Sequence, residues 1–230
     1  MRAVPPADAA RARASRRTQL AIYLFAVSPY LVNGWINPHL GDAPVLYWLL
    51  EVVFWVGIPG VALFLARKYT ALDVAALGFS LELRGRRSVP GLAVACALVS
   101  LLMVGLYQLA DHYAGVLFGV DETFAYESVM PDSRGARVLV ALYLGLTAGF
   151  VEETLYRGYA CKLAACFARP QLLYLGAGPV VFAVVHWEGG WASVAAAYVM
   201  GVVTALVYLL LRNLWPLIVG HCVTDYFWFE

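Results

Sequence analysis

Six ionisable side chains stand inside apolar stretches of the carboxyl-terminal half of the sequence: Glu152, Glu153, Arg157, His186, His221 and Asp225. Each costs about 2.5 to 3.5 kcal/mol to insert into a bilayer, so such groups pair with one another or line a water-filled cavity. They fall at helical intervals. In Glu152-Glu153-Thr-Leu-Tyr-Arg157 a step of four turns a helix by about 400°, which puts Glu153 and Arg157 on one face and points Glu152 about 100° away. Arg157 can neutralise only one carboxylate well, so the spacing assigns it to Glu153 and leaves Glu152 free to act as a base. Phe182 and His186 are again four apart, on a stretch that carries Pro179, whose missing N–H frees the carbonyl of Leu175. His221 and Asp225 repeat the interval, and an aspartate one turn from a histidine can hold its ring or share with it a water or a metal. Hydrolysis needs a carboxylate to activate water and groups to stabilise an oxyanion. The same side chains, with Glu152, His186 and His221 as ligands, could instead make a zinc site with an open position.

The elements that must carry these groups are membrane spans. Of 230 residues, 62% are hydrophobic and 13% charged, and the mean hydropathy is +0.73, far from a soluble domain. At about 1.5 Å per residue a span takes about 20 apolar residues. Apolar runs over 18–36, 46–66, 89–110, 137–157, 172–187, 192–211 and 214–229 predict an all-α polytopic transmembrane bundle of about seven spans. A hydrophobic dip over 113–120 raises an eighth or a re-entrant piece, although eight residues cannot cross a bilayer alone. Residues 1–17 read as a basic cytoplasmic segment, followed by a retained first span rather than a cleaved signal peptide, and 18–230 as one membrane domain. Before residue 137 the one charged side chain within a span is Glu51, so the chemistry is expected in the carboxyl-terminal half.

Charge sets the expected orientation. Thirteen of the sixteen Lys and Arg fall before the first span or in alternate loops, among them Arg67, Lys68, Arg84, Arg86, Arg87, Lys162, Arg169 and Arg212. The other loops hold Asp42, Asp111, Asp121, Glu122, Glu127, Asp132 and Glu188. The positive-inside rule then puts the amino terminus in the cytoplasm and, with seven spans, the carboxyl terminus outside. A net charge of +1 offers no field for phosphates, so nucleic acid is excluded as a partner. Cys96, Cys161, Cys166 and Cys222 lack zinc-knuckle or redox spacing and are expected to pack as core thiols.

Glu-Glu-x-x-x-Arg at 152–157 followed by Gly158, Phe-x-x-x-His at 182–186 and His-x-x-x-Asp at 221–225, in this order on apolar segments, resemble the CAAX protease and bacteriocin-processing family of intramembrane proteases, which includes the type II CAAX prenyl endopeptidases. The resemblance covers about 143–227, the expected catalytic core. It implies an intramembrane endopeptidase in which Glu152 activates a water with help from His186, His221 and Asp225 assist the tetrahedral intermediate or orient the site, and Glu153, Arg157 and Phe182 support them. The family pattern often has Asn where this chain has Asp225, which accepts hydrogen bonds but, when ionised, donates none. The family is described both as metalloproteases and as glutamate-dependent proteases; with no His-Glu-x-x-His present, a metal-free glutamate mechanism is favoured over zinc. The expected partners are membrane lipid and a peptide or membrane-protein substrate, prenylated or not, at the plasma membrane of a prokaryote. The alternatives are a catalytically silent scaffold or immunity protein of the same fold, or a proton-coupled transporter, against which the absence of internal repeats weighs.

Overall fold

The computed structural model describes residues 6–70, 72–83, 86–120, 124 and 126–229. Residues 1–5 of the basic amino-terminal segment, and Arg84, Asp121 and Glu122 of the charged loops, lie outside them. Seven helical rods follow one another among the described residues. The first is α1 (Pro6–Ile36); the second joins α2 (Pro44–Val52) to α3 (Ile58–Thr70) through a π-helical segment, Val53–Gly57. The third is α4 (Val89–Phe118), and the fourth joins α5 (Arg134–Glu152) to α6 (Ala160–Ala164) through a second π-helical segment, Glu153–Tyr159. The last three are α7 (Pro170–Val184), α8 (Gly190–Leu211) and α9 (Trp215–Phe229).

Local chemistry accounts for the boundaries. Ser88 and Ser133 cap α4 and α5 by accepting hydrogen bonds from the Gly91 and Ala136 N–H groups at 3.1 and 3.3 Å. Prolines start α2 and α7, where a missing N–H costs nothing. Leu98, Leu101, Leu109, Val116 and Leu117 of α4 face outward and are exposed, as befits helices whose solvent is lipid.

Five rods are long and apolar enough to cross a membrane: Arg16–His39, Pro44–Thr70, Val89–Phe118, Arg134–Ala164 and Trp187–Leu211. The protein is thus an all-α multi-pass membrane bundle. Two of the seven expected spans are short, α7 and α9 having 15 residues each. The apolar dip after residue 112 is neither an eighth span nor re-entrant, because α4 runs on through it to Phe118. A hairpin, Glu82–Leu83 against Arg86–Arg87, is the one departure from helix among the described elements.

Contacts between connections show that the rods alternate in direction. At one end the Tyr159 hydroxyl donates to the Gln19 carbonyl at 3.0 Å, Tyr208 to that of Leu77 at 2.9 Å, and the Asn213 amide to Ser80 and Glu82 at 2.7 and 2.9 Å. At the other end the Trp187 indole donates to the Leu31 carbonyl at 2.9 Å, while Asn37 and Tyr126 donate to Glu188 at 3.0 and 2.6 Å. The cysteines differ from expectation: Cys166 is exposed and the other three are half-buried, because each sits at a rod surface or a rod end.

Candidate active site

The fourth and seventh rods are held unusually close by two glycines one turn apart. A Cβ placed on Gly145 would lie 2.8 Å from the Cys222 carbonyl oxygen, and one on Gly149 would lie 2.8 Å from Cys222 Sγ and 2.9 Å from the Ile218 carbonyl oxygen. Glycine is the residue that permits this approach, as small residues do between membrane helices. One turn beyond Gly149, α5 passes into the π-helical segment. The wider turn places Glu152 and Glu153 at its entry, beside His221 of α9. Such segments are rare and recur at functional sites.

His221 is the hub. Its Nδ1 lies 2.8 Å from Glu153 Oε1, and a carboxylate oxygen accepts, so Nδ1 carries a proton. Its Nε2 faces Glu152 Oε2 at 3.7 Å and Asp225 Oδ1 at 3.6 Å. The second Glu153 oxygen meets Arg157 Nε at 3.2 Å across the interval of four. Arg157 also donates from Nε to Thr204 Oγ1 of α8 at 2.9 Å, with a second donation from the same guanidinium. Thr204 in turn donates a hydrogen bond to the Met200 carbonyl at 2.6 Å. The Arg157 guanidinium lies over the Phe182 ring, 4.1 Å from its centroid, a cation–π contact. Glu153 and Arg157 are 0% and 1% exposed, so this ion pair is almost entirely buried.

Glu152 stands apart from that network. It is buried, and Oε2 has no hydrogen-bond partner among the described residues. It lines a cavity of about 290 Å³ together with His186, His221 and Asp225. His186 reaches this cavity from just beyond the end of α7 and makes no hydrogen bond or ion pair with Glu152 or His221. Its Nδ1 lies 2.7 Å from the Phe182 carbonyl, which can only accept, so the proton is on Nδ1 and the lone pair of Nε2 is free to accept. Phe182 therefore serves twice: its ring supports Arg157 and its carbonyl fixes the tautomer of His186.

Three features differ from the reading of the sequence. The hydrogen-bond partner of His221 is Glu153, across helices, rather than Asp225 on the same helix. Thr204 holds Arg157, and no signal in the sequence pointed to it, since a lone threonine in an apolar run has many reasons to be there. The cavity is also not confined to the carboxyl-terminal half: Tyr30, Asn33, Glu51, Trp55 and Asp111 contribute to its wall. Tyr30 is oriented by donating to the Phe54 carbonyl at 3.2 Å, inside the first π-helical segment. The close approach of α5 to α9 did have a signature, Gly-x-x-x-Gly at 145–149. Among the described residues, no three His, Cys, Asp or Glu side chains are grouped so as to hold a metal ion, and this includes Glu152, His186 and His221.

The groups at the cavity can hold a buried carboxylate next to an imidazole acceptor and an imidazole hub, which is a set of parts for acid–base chemistry on a peptide. Comparison with known proteins bears on the same stretch. No curated protein and no solved structure matches the chain. Residues 134–227, which contain every one of the paired motifs, match the family model described as type II CAAX prenyl endopeptidase Rce1-like. Over that segment the chain is thus similar to the CAAX protease and bacteriocin-processing family of membrane-embedded peptide hydrolases.

Proposed function

We propose that the protein is an intramembrane endopeptidase that hydrolyses a peptide bond of a membrane-associated or lipidated substrate with a water activated by Glu152. The observation that carries this reading is the unpartnered carboxyl oxygen of Glu152 on the cavity wall, 3.7 Å from His221 Nε2. Glu152 takes a proton from the water, and the hydroxide adds to the peptide carbonyl carbon. The free Nε2 of His186 accepts the water's second hydrogen and aims it. In the reacting state His221 carries a proton on each ring nitrogen: Nδ1 donates to Glu153, and Nε2, flanked by Asp225, donates to the oxyanion as it forms. The proton on Glu152 then passes to the leaving nitrogen as the C–N bond breaks.

Glu153, Arg157, Thr204 and Phe182 act as supports, fixing His221 and His186 by the bonds described above. The mechanism is proposed as metal-free, with Glu152 as the base. The amino terminus and the basic loops are assigned to the cytoplasmic side. The test is a comparison of peptides released from membranes holding the parent protein with those from membranes holding Glu152→Gln. Peptides present only with the parent identify both the activity and the substrate. Identical peptide sets reject the reading in favour of a silent scaffold.

A further inference from the structure

Glu51 is a second buried glutamate with no hydrogen-bond or ion-pair partner among the described residues. It is 8% exposed and lines the same cavity as Glu152. The two positions correspond in an unexpected way. Glu51 stands two residues before the π-helical segment Val53–Gly57 and Glu152 one residue before Glu153–Tyr159. Each rod thus delivers a carboxylate to the cavity where its helix widens, and Tyr30, on α1, lines the same cavity.

The charge of the cavity wall is unbalanced. Among the described residues, the carboxyl groups of Glu51, Asp111, Glu152, Glu188 and Asp225 face it against one permanent cation, Arg157, already taken up by Glu153 and Thr204. A carboxylate within a span is costly to insert unless it is paired, and none of the described residues pairs Glu51. Around it stand the rings of Tyr30 and Trp55, 4.7 Å apart between centroids, on the same wall. A carboxylate beside aromatic faces is the chemistry that takes an organic cation.

We propose that Glu51 is a specificity-determining residue that binds the ammonium or guanidinium group of a Lys or Arg side chain on the peptide substrate. This rests on the peptidase reading above and names the feature of the peptide that the cavity selects. The aliphatic stem of Lys or Arg lies along the apolar wall while its charged end reaches Glu51, the mode in which such side chains are carried into apolar surroundings. Peptides in which the basic residue is replaced by an uncharged residue of the same shape bind more weakly by roughly tenfold or more, the worth of a charge-assisted hydrogen bond.

The experiment uses the full chain in nanodiscs and a lipid-anchored peptide library in which one position is either Lys or norleucine. Protein carrying Glu152→Gln captures peptides without turnover, and mass spectrometry counts the two classes. Enrichment of Lys peptides that is lost in the Glu51→Gln/Glu152→Gln protein and kept with Glu51→Asp supports the proposal. Equal capture of both classes, or enrichment indifferent to Glu51, overturns it, as does capture that follows the phosphatidylethanolamine content of the disc and ignores peptide charge. Should Glu51→Gln not fold, carbodiimide labelling of native Glu51 decides: protection by the Lys library and not by the norleucine library supports the proposal, and equal labelling overturns it. Capture that depends on Glu51, with no cleavage by the parent, rejects the hydrolysis and leaves the cation site standing; cleavage with no preference for Lys does the reverse.

Discussion

Exchanging Glu152 and Glu153 separately for Gln distinguishes a group that reacts from a group that holds. Glu153 has both oxygens engaged, one 2.8 Å from His221 Nδ1 and the other 3.2 Å from Arg157 Nε, with no exposure. An amide there leaves a buried guanidinium without its counter-charge, and breaking one side of a buried pair costs about 3 to 5 kcal/mol. On the scale of about 2 to 4 °C per kcal/mol for a chain of this size, the melting temperature falls by about 6 to 20 °C. Glu152 has no such tie, since its closest charged neighbour is 3.7 Å away and Oε2 has no hydrogen bond. Gln preserves its shape, so stability shifts by less than about 1 kcal/mol. Turnover falls by about 10² to 10⁴, the effect of losing a general base, or roughly 3 to 5 kcal/mol in the barrier. Peptide cleavage and thermal melting in detergent are measured on the parent and both variants. A Glu152→Gln protein that cleaves at the parental rate refutes the assignment of the base. A Glu152→Gln protein that melts early, beside a Glu153→Gln protein that is stable and inactive, requires the two roles to be exchanged.

Gly149→Ala drives a methyl group into Cys222 Sγ and the Ile218 carbonyl; it should cost about 1 to 3 kcal/mol and lower turnover by drawing His221 away from Glu153. Gly176→Ala, which meets nothing within 4 Å, is the control and should match the parent in both assays. Exhaustive chelation of purified protein should leave cleavage intact; stoichiometric zinc, with activity lost on its removal and restored on its return, contradicts the metal-free mechanism. A single cysteine introduced at Ser80, in a protein otherwise free of cysteine, should react with impermeant thiol reagents in inverted vesicles and not in intact cells. Labelling from outside intact cells reverses the assigned orientation.

The rods were legible in the sequence because a bilayer imposes one requirement on all of them, a run of apolar residues between breaks. Their ends were less so: the helix begun at Val89 continues to Phe118 past Asp111 and His112, since polar residues near a span end can sit at the membrane surface without ending a helix. Within the site, spacing along one helix was informative. The interval from Glu153 to Arg157 appears as the 3.2 Å pair. Contacts between helices were not, because they depend on how rods cross. His221 meets Glu153 on account of Gly145 and Gly149, and Arg157 meets Thr204 because α8 packs behind the π-helical segment. Glu51 stood out in the sequence as a solitary charge, yet its place on the cavity wall emerges only when the first two rods fold against the rest.

The shortness of α7 bears on how water arrives. Fifteen residues rise about 22 Å, against a hydrocarbon layer of about 30 Å. In a bilayer of that thickness the lipid beside α7 thins, or the helix ends lie below the headgroups, and either adjustment is cheap per ångström. This helix contributes directly to the cavity through Phe182. The proposed hydrolysis consumes one water per bond cut, and thinner lipid on this flank would bring the aqueous phase nearer to Glu152 than a full-length wall would allow. The same thinning would lower the barrier to a peptide backbone entering from the side, since its amide groups would leave water later along the path. Supply of both reactants would then follow from helix length, independently of the residues proposed to perform the reaction.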